Sequence, residues 1–158
     1  MQRHQEEYIV PGLDYIWSLD GHDKLSNWGI EIYAAIDAYS WFIIWIYIGV
    51  SNRTEQSVAV QYNSTIAQTR YHPRILQTNL SKETLLMLEI HFSVARTSEL
   101  GIKLEECYYY GTSRKNQRIE SWWSQLERSC LWRWRVSFIQ FVRFSNLFTF
   151  VEILPTTI

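Results

Sequence analysis

The stretch Trp17-Ser18-Leu19-Asp20-Gly21-His22-Asp23 decides how the rest of the chain is interpreted. Residues 15–19 are mostly apolar or aromatic and predict a short β-strand, and Asp20 follows directly before a glycine. A carboxylate at the end of a strand is exposed to solvent, where it can bind a cation. Asp20 could instead be an ordinary turn residue, because aspartate is common in turns. The remaining sequence decides between these two interpretations.

Two apolar runs follow this stretch and predict an antiparallel meander. Residues 30–37 carry apolar side chains at every second position on one face, which is typical of a strand. Residues 41–50 are almost wholly apolar but too few to span a bilayer, and they predict a central strand buried on both faces. Three strands so close in sequence pair as antiparallel neighbours.

Helices and one more strand complete the predicted fold. Asn52, with Glu55 three residues later, predicts a helix that ends near Arg70. Residues 73–78 predict a fourth strand, parallel to the first after this helical crossover. Ser81 predicts a further helix start, and a last helix is expected from Ser113. The predicted fold class is α/β, with a mixed sheet of three antiparallel strands and then a parallel strand, flanked by helices.

The charge of the chain is unevenly distributed. The 158 residues have a net charge of −1, but residues 1–60 hold three basic and eight acidic side chains, and the remainder holds twelve basic and eight acidic ones. An acidic front half and a basic back half suit a cation site beside a surface that binds a polyanion. Charges scattered over a solvated surface explain the same counts equally well.

Several classes of protein are not expected from the composition. The two cysteines, Cys107 and Cys130, lack the spacing of zinc ligands and indicate a reduced, intracellular protein. Residues 1–7 lack the apolar core of a signal peptide, so we do not expect secretion. Charged residues interrupt the apolar stretch 136–154, and one central Arg costs roughly 2.5–3.5 kcal/mol in a membrane. We therefore predict a core domain at 10–128 and an apolar, basic tail at 129–158 that does not cross a membrane.

Three local strings resemble one known family. They are Trp17-Ser18-Leu19-Asp20-Gly21-His22-Asp23-Lys24-Leu25, Ala35-Ile36-Asp37-Ala38-Tyr39-Ser40 and Gly111-Thr112-Ser113-Arg114-Lys115-Asn116-Gln117-Arg118-Ile119-Glu120-Ser121-Trp122-Trp123. In their residues and in their order along the chain, these strings resemble those of the integrase core domains of mobile elements in eukaryotic, notably fungal, genomes. The resemblance implies a ribonuclease H-like fold and a polynucleotidyl transferase centre that uses two divalent metal ions, Mg²⁺ or Mn²⁺.

The resemblance also implies roles for single residues. Asp20 stands at the position of the first catalytic acid and Glu120 at that of the last, so both are expected to ligate metal. The middle acid, an aspartate in the family, is Asn79 here, and Trp41 replaces an arginine. An asparagine supplies an oxygen but no charge, so catalysis is expected to be degenerate. Glu83, four residues later, is the nearest acid that could replace the missing one.

The resemblance implies DNA as the partner, in the nucleus of the cell. The residues expected to contact it are Arg114, Lys115, Asn116 and Arg118. Homo-oligomers are possible, and neither an organic cofactor nor a membrane partner is expected. One alternative is a non-catalytic module that binds nucleic acid or a protein. Another is a peripheral membrane protein that uses the Arg- and Phe-rich tail.

Overall fold

The computed structural model of the chain describes residues 9–50, 54–79, 82–110 and 116–151, without the side chains of residues 83 and 145–151. The strands are β1 (Ile16–His22), β2 (Glu31–Asp37), β3 (Ile43–Gly49), β4 (Ile75–Thr78) and β5 (Tyr108–Tyr110). The helices are α1 (Glu55–Thr69), α2 (Leu85–Ser98), the single turn α3 (Leu104–Cys107), α4 (Gln117–Leu126) and α5 (Trp132–Val151). A π-helical turn, Glu127–Leu131, links α4 to α5.

The five described strands form one mixed sheet in the order β3-β2-β1-β4-β5. The first three strands along the chain pair antiparallel, and β4 then joins the free side of β1 in parallel after the crossover through α1. The strand β5 extends the sheet in parallel beyond β4. The predicted fold class is therefore confirmed, because a mixed sheet flanked by helices is what the pattern of strands and helices required.

One face of the sheet carries the main hydrophobic core. Trp17 and Leu19 of β1 point to this face, since residues two apart in a strand share a face, and they pack with residues of α1 and α2 such as Tyr62 and Met87. The rings of Trp17, Trp45 and Tyr62 meet edge to face, with centroids 6.2–6.4 Å apart. The opposite face of β1 therefore presents Ser18, Asp20 and His22.

The prediction that the third strand is central and buried on both faces is wrong. β3 is an edge strand, and the side chains of Ile46 and Ile48 are 45% and 63% exposed. The central position belongs to β1, which has β2 on one side and β4 on the other. An unbroken apolar run is typical of a strand covered on both sides, but it does not say whether another strand is present to cover it.

Two predicted boundaries also differ from the structure. β1 continues through Asp20 and Gly21 to His22, whereas the sequence predicted that it ends at Leu19. The helix α1 is capped by Thr54, whose side chain accepts a hydrogen bond from the Ser57 amide, 3.2 Å away. Asn52 and Ser81, the predicted starts of two helices, lie outside the described residues.

The chain divides into two compact units, Met1–Ser121 and Trp122–Ile158. Within the second unit the rings of Trp122 and Trp123 lie 4.5 Å apart, and the guanidinium of Arg135 binds Glu127 at 2.7 Å. The predicted boundary of the core domain at residue 128 stays a prediction. Across the described part of the chain, none of the helices is both long and apolar enough to cross a membrane.

Candidate functional site

Parallel pairing of β1 with β4 brings Asp20 and Asn79 together. Ser18 lies opposite Gln77 in this register, and its hydroxyl donates to Gln77 Oε1 at 3.3 Å. Two residues further along each strand, on the same face, come Asp20 and Asn79. Asn79 Nδ2 donates a hydrogen bond to Asp20 Oδ1 at 2.8 Å. The structure thus places the first and middle predicted catalytic positions in direct contact.

The orientation of the Asn79 amide determines what this pair can do. Its N–H group faces the carboxylate, where a bridging metal ion would require an oxygen atom. The other amide atom, Oδ1, is buried and has no hydrogen-bond partner among the described residues. The contact therefore stabilises the Asp20 carboxylate with a neutral donor, which is a weaker partner than a divalent cation.

Asn116 ties the beginning of α4 to the centre of the sheet. Its side chain is only 1% exposed, and Nδ2 donates to the backbone oxygen of Leu19 at 3.0 Å. The backbone oxygen of Asn116 in turn accepts from the amide of Glu120 at 3.3 Å. Glu120 is half-buried in the first turn of a helix whose start touches the residue before Asp20. Asn116 therefore fixes the start of α4 against β1, and its predicted contact with nucleic acid stays a prediction.

The other predicted binding residues have different environments. The Arg118 guanidinium lies over the ring of Trp41, 4.8 Å from the centroid. Trp41 holds a left-handed backbone conformation, with φ of 64°, which is rare for a bulky residue. Arg114 and Lys115 lie outside the described residues, as does the side chain of Glu83, so their predicted roles stay predictions.

The described residues do not form the ligand set of a two-metal centre. No group of three or more His, Cys, Asp or Glu side chains is placed to hold a metal ion within the described ranges. At the predicted centre, Asp20 is a suitable hard ligand, but Asn79 presents N–H to it and adds no negative charge. Among the described residues, the Asp20–Asn79 pair does not supply the negative charge that two divalent ions require.

Asp37, the acid of the second string, has a structural role. The residue is 2% exposed. Its oxygens accept hydrogen bonds from the amides of Asp14, Tyr39 and Ser40 at 2.6–3.2 Å and from the Ser40 hydroxyl at 2.7 Å. These bonds hold the turn between β2 and β3 and the segment before β1.

We expect Asp37→Asn to lower the free energy of unfolding by about 2 kcal/mol. The amide replaces one carboxylate oxygen with a donor that faces other donors, and it removes the charge from the remaining bonds. Urea unfolding followed by circular dichroism measures the loss. Glu89→Gln, at an exposed position of α2, is the control and should change the value by less than about 0.5 kcal/mol.

One buried polar cluster is not predicted by the sequence. His91 of α2 is fully buried, its Nδ1 lies 2.8 Å from the Tyr62 hydroxyl, and its Nε2 lies 3.0 Å from the Cys107 carbonyl oxygen. Burial lowers the pKa of His91 from 6.5 to about 4 and raises that of Tyr62. The one signal of this cluster in the sequence is a histidine on the apolar side of a helix. That signal does not reveal that its hydrogen-bond partners lie in α1 and at the end of α3.

The fold and the arrangement at β1 and β4 define a class of protein. The mixed sheet carries an acid on its central strand and a polar residue at the end of the adjacent parallel strand. A glutamate lies on a helix that is hydrogen-bonded to the central strand. This arrangement is that of a ribonuclease H-like domain. More particularly, the chain belongs to the integrase core domain family, whose model matches residues 7–151. A search of curated proteins found no match.

Membership gives the chain the ancestry of integrase- and transposase-type polynucleotidyl transferases. Integrase core domains of this superfamily typically use divalent metals and generally bind DNA. In this chain the Asn79 amide pairs with Asp20 at the position where the resemblance implies a second acid.

Proposed function

We propose that this chain is an integrase or transposase core, of fungal mobile-element type, whose own catalysis is degenerate. The observation that carries the proposal is the hydrogen bond of 2.8 Å from Asn79 Nδ2 to Asp20 Oδ1. Transfer of a phosphoryl group between DNA strands requires concentrated negative charge to hold Mg²⁺ or Mn²⁺ against the substrate phosphate. Here a neutral donor stands where the second negative charge is needed.

The proposal predicts DNA nicking and strand transfer close to background with either Mg²⁺ or Mn²⁺. Supercoiled plasmid nicking and oligonucleotide joining measure the two reactions. Asp20→Asn is the matched control, because it removes the remaining charge of the pair and nearly preserves its shape. The wild-type rate should lie within about twofold of this variant, less than 0.5 kcal/mol in barrier height.

A strong metal-dependent rate in the wild type that is lost in Asp20→Asn would contradict degeneracy and leave the ancestry intact. A strong rate that survives Asp20→Ala would instead contradict the assignment of the centre, because the strand acid would then have no part in the reaction.

We propose as the second candidate function a non-catalytic module that binds DNA. Two arginines stacked on exposed tryptophans support it. Arg118 lies over Trp41, and in the second unit Arg133 lies 5.7 Å from the ring centroid of Trp132. A stacked guanidinium keeps its positive charge, which attracts a phosphate, while the ring beside it can contact bases or sugars.

DNA affinity is then expected to fall steeply with salt and to depend little on sequence. Arg118→Ala and Arg133→Ala should each reduce the slope of log K against log salt concentration by about 1, the value for one lost phosphate contact. Fluorescence anisotropy with a labelled duplex measures the slope. Arg96→Ala, which removes a similar Arg–Phe92 pair on α2, is the control. A slope unchanged in both test variants would contradict this role.

Cellular setting and assembly follow from the DNA partner. We propose that the protein acts in the nucleus, where DNA is found, and infer that copies associate when two DNA ends must be held together. Light scattering with and without duplex DNA tests the association, and imaging of a fluorescent fusion tests the location. A uniformly extranuclear fusion would contradict the placement.

A further inference from the structure

A cavity of about 390 Å³ opens at the beginning of β1. Its apolar lining includes Leu13, Trp17, Phe42, Ile44 and Tyr71, and every residue that lines it belongs to the first compact unit. The volume lies within the range of small-molecule sites in proteins, which are mostly apolar with a few polar groups. Leu13, Phe42 and Tyr71 are each about two-thirds exposed at its rim.

The cavity is separate from the candidate catalytic pair. Trp17 lines it and belongs to the sheet face that α1 and α2 cover. Asp20 is three positions further along the same strand, and alternate residues of a strand point to opposite faces. Asp20 and Asn79 therefore lie on the other face of the sheet.

The cavity is not filled by Trp41, although both sequence neighbours of this large side chain line it. Ser40 and Phe42 both line it, but Trp41 between them does not. Trp41 instead adopts a φ of 64° and lies beneath the Arg118 guanidinium. A bulky residue at positive φ is unfavourable, and such strain clusters where a site is kept for a ligand.

The polar groups of the cavity determine the charge of its occupant. No basic side chain is among the residues that line it. The Asp37 carboxylate already accepts four hydrogen bonds within the chain. Asp14 is half-buried, and Oδ1 accepts from Trp17 Nε1 at 2.8 Å. Its other oxygen, Oδ2, has no hydrogen-bond partner among the described residues and can accept one from a ligand.

We propose that this cavity binds a small aromatic amine in its protonated form. The aromatic body lies between Phe42, Tyr71 and the edge of Trp17, where it buries apolar surface and can meet ring edges. The ammonium group donates to Asp14 Oδ2, and the neighbouring rings attract its charge. An anionic ligand of the same size is excluded by the two carboxylates.

Three indoles of similar size but different charge test the proposal on the full chain. Tryptamine is cationic, 3-ethylindole is neutral and indole-3-propionate is anionic. Titrations followed by two-dimensional NMR of the labelled protein should show tryptamine binding tenfold or more tighter than the other two. The indole N–H signal of Trp17 should be among those that move.

Variants locate the site and its charge. Asp14→Asn keeps an oxygen that accepts from Trp17 and tolerates the left-handed backbone at this position, where φ is 56°. It should weaken tryptamine at least fivefold, and the exposed rim variant Phe42→Ser should do the same. Tyr39→Ser, an exposed aromatic position outside the cavity lining, is the control and should bind as the wild type does.

Several results would overturn the proposal. They are equal binding of all three indoles, tryptamine binding weaker than about 1 mM, or shifts that map away from the cavity. If Asp14→Asn does not fold, the Phe42→Ser variant and the comparison of probe charges still decide the question. Unchanged affinity in Phe42→Ser would place the ligand elsewhere.

Discussion

Asn79→Asp is expected to raise metal-dependent DNA nicking about 100-fold above the wild type, a barrier change of roughly 2.7 kcal/mol. The substitution replaces the N–H donor that faces Asp20 Oδ1 with a second carboxylate. Two carboxylates in hydrogen-bond range repel each other, and a divalent cation between them relieves that repulsion. The variant therefore gains both affinity for metal and the charge that holds a phosphate in place.

Metal binding gives this prediction a readout that is independent of catalysis. The thermal midpoint of Asn79→Asp should be below that of the wild type in chelator and should rise with Mg²⁺ or Mn²⁺, because a ligand that binds only the folded state stabilises it. The wild type should change little. Isothermal titration with Mn²⁺ measures the same difference directly.

Variants in the Asn79→Asp background separate the possible outcomes. Adding Asp20→Asn should return nicking to background, and Glu120→Gln should do so if the helix acid also binds the metal. Asn79→Leu, which removes the amide without adding charge, should stay at background. Metal binding without nicking in Asn79→Asp would show that the restored carboxylate is not sufficient, and the proposed cause of degeneracy would then be wrong.

The contact between Asp20 and Asn79 could be predicted from the sequence. Strand periodicity and the helical crossover predicted that β4 runs parallel to β1. Parallel neighbours bring together residues at corresponding positions along the two strands. The family resemblance then identified Asp20 and Asn79 as the polar residues at these positions. What the pattern did not give is the direction of the Asn79 amide, since amide orientation depends on the local hydrogen bonds of the folded chain.

Other features depend on contacts that no local pattern records. The Asn116 side chain donates to the carbonyl oxygen of Leu19, 97 residues earlier in the chain, a contact that the local sequence does not predict. The edge position of β3 was missed because strand order is a property of the whole sheet, and the composition of Ile43–Gly49 suits a covered strand better. Both features depend on how distant segments of the chain pack together, which local sequence patterns do not record.

Acidification is expected to destabilise the protein through His91 by about 3 kcal/mol between pH 6.5 and pH 4. The Cys107 carbonyl can only accept, so Nε2 carries the proton and Nδ1 accepts from the Tyr62 hydroxyl. Both ring nitrogens are thus satisfied in the neutral form. Burial, helped by the nearby His72, lowers the pKa of His91 to about 4, while the unfolded chain keeps the ordinary 6.5.

The sign of the effect follows from proton uptake. Between pH 4 and pH 6.5 the unfolded chain binds a proton at His91 that the folded chain does not, so stability is complete above pH 6.5 and falls as the pH drops towards 4. Urea unfolding at a series of pH values measures the slope, and His91→Gln should flatten it by the contribution of one proton, whatever its absolute stability. NMR of the His91 ring in the wild type should show a neutral Nε2–H tautomer down to about pH 5, since a pKa near 4 leaves the ring mostly unprotonated there. A ring that titrates near its ordinary value would mean that α1, α2 and the end of α3 do not enclose it as tightly as their hydrogen bonds to it require.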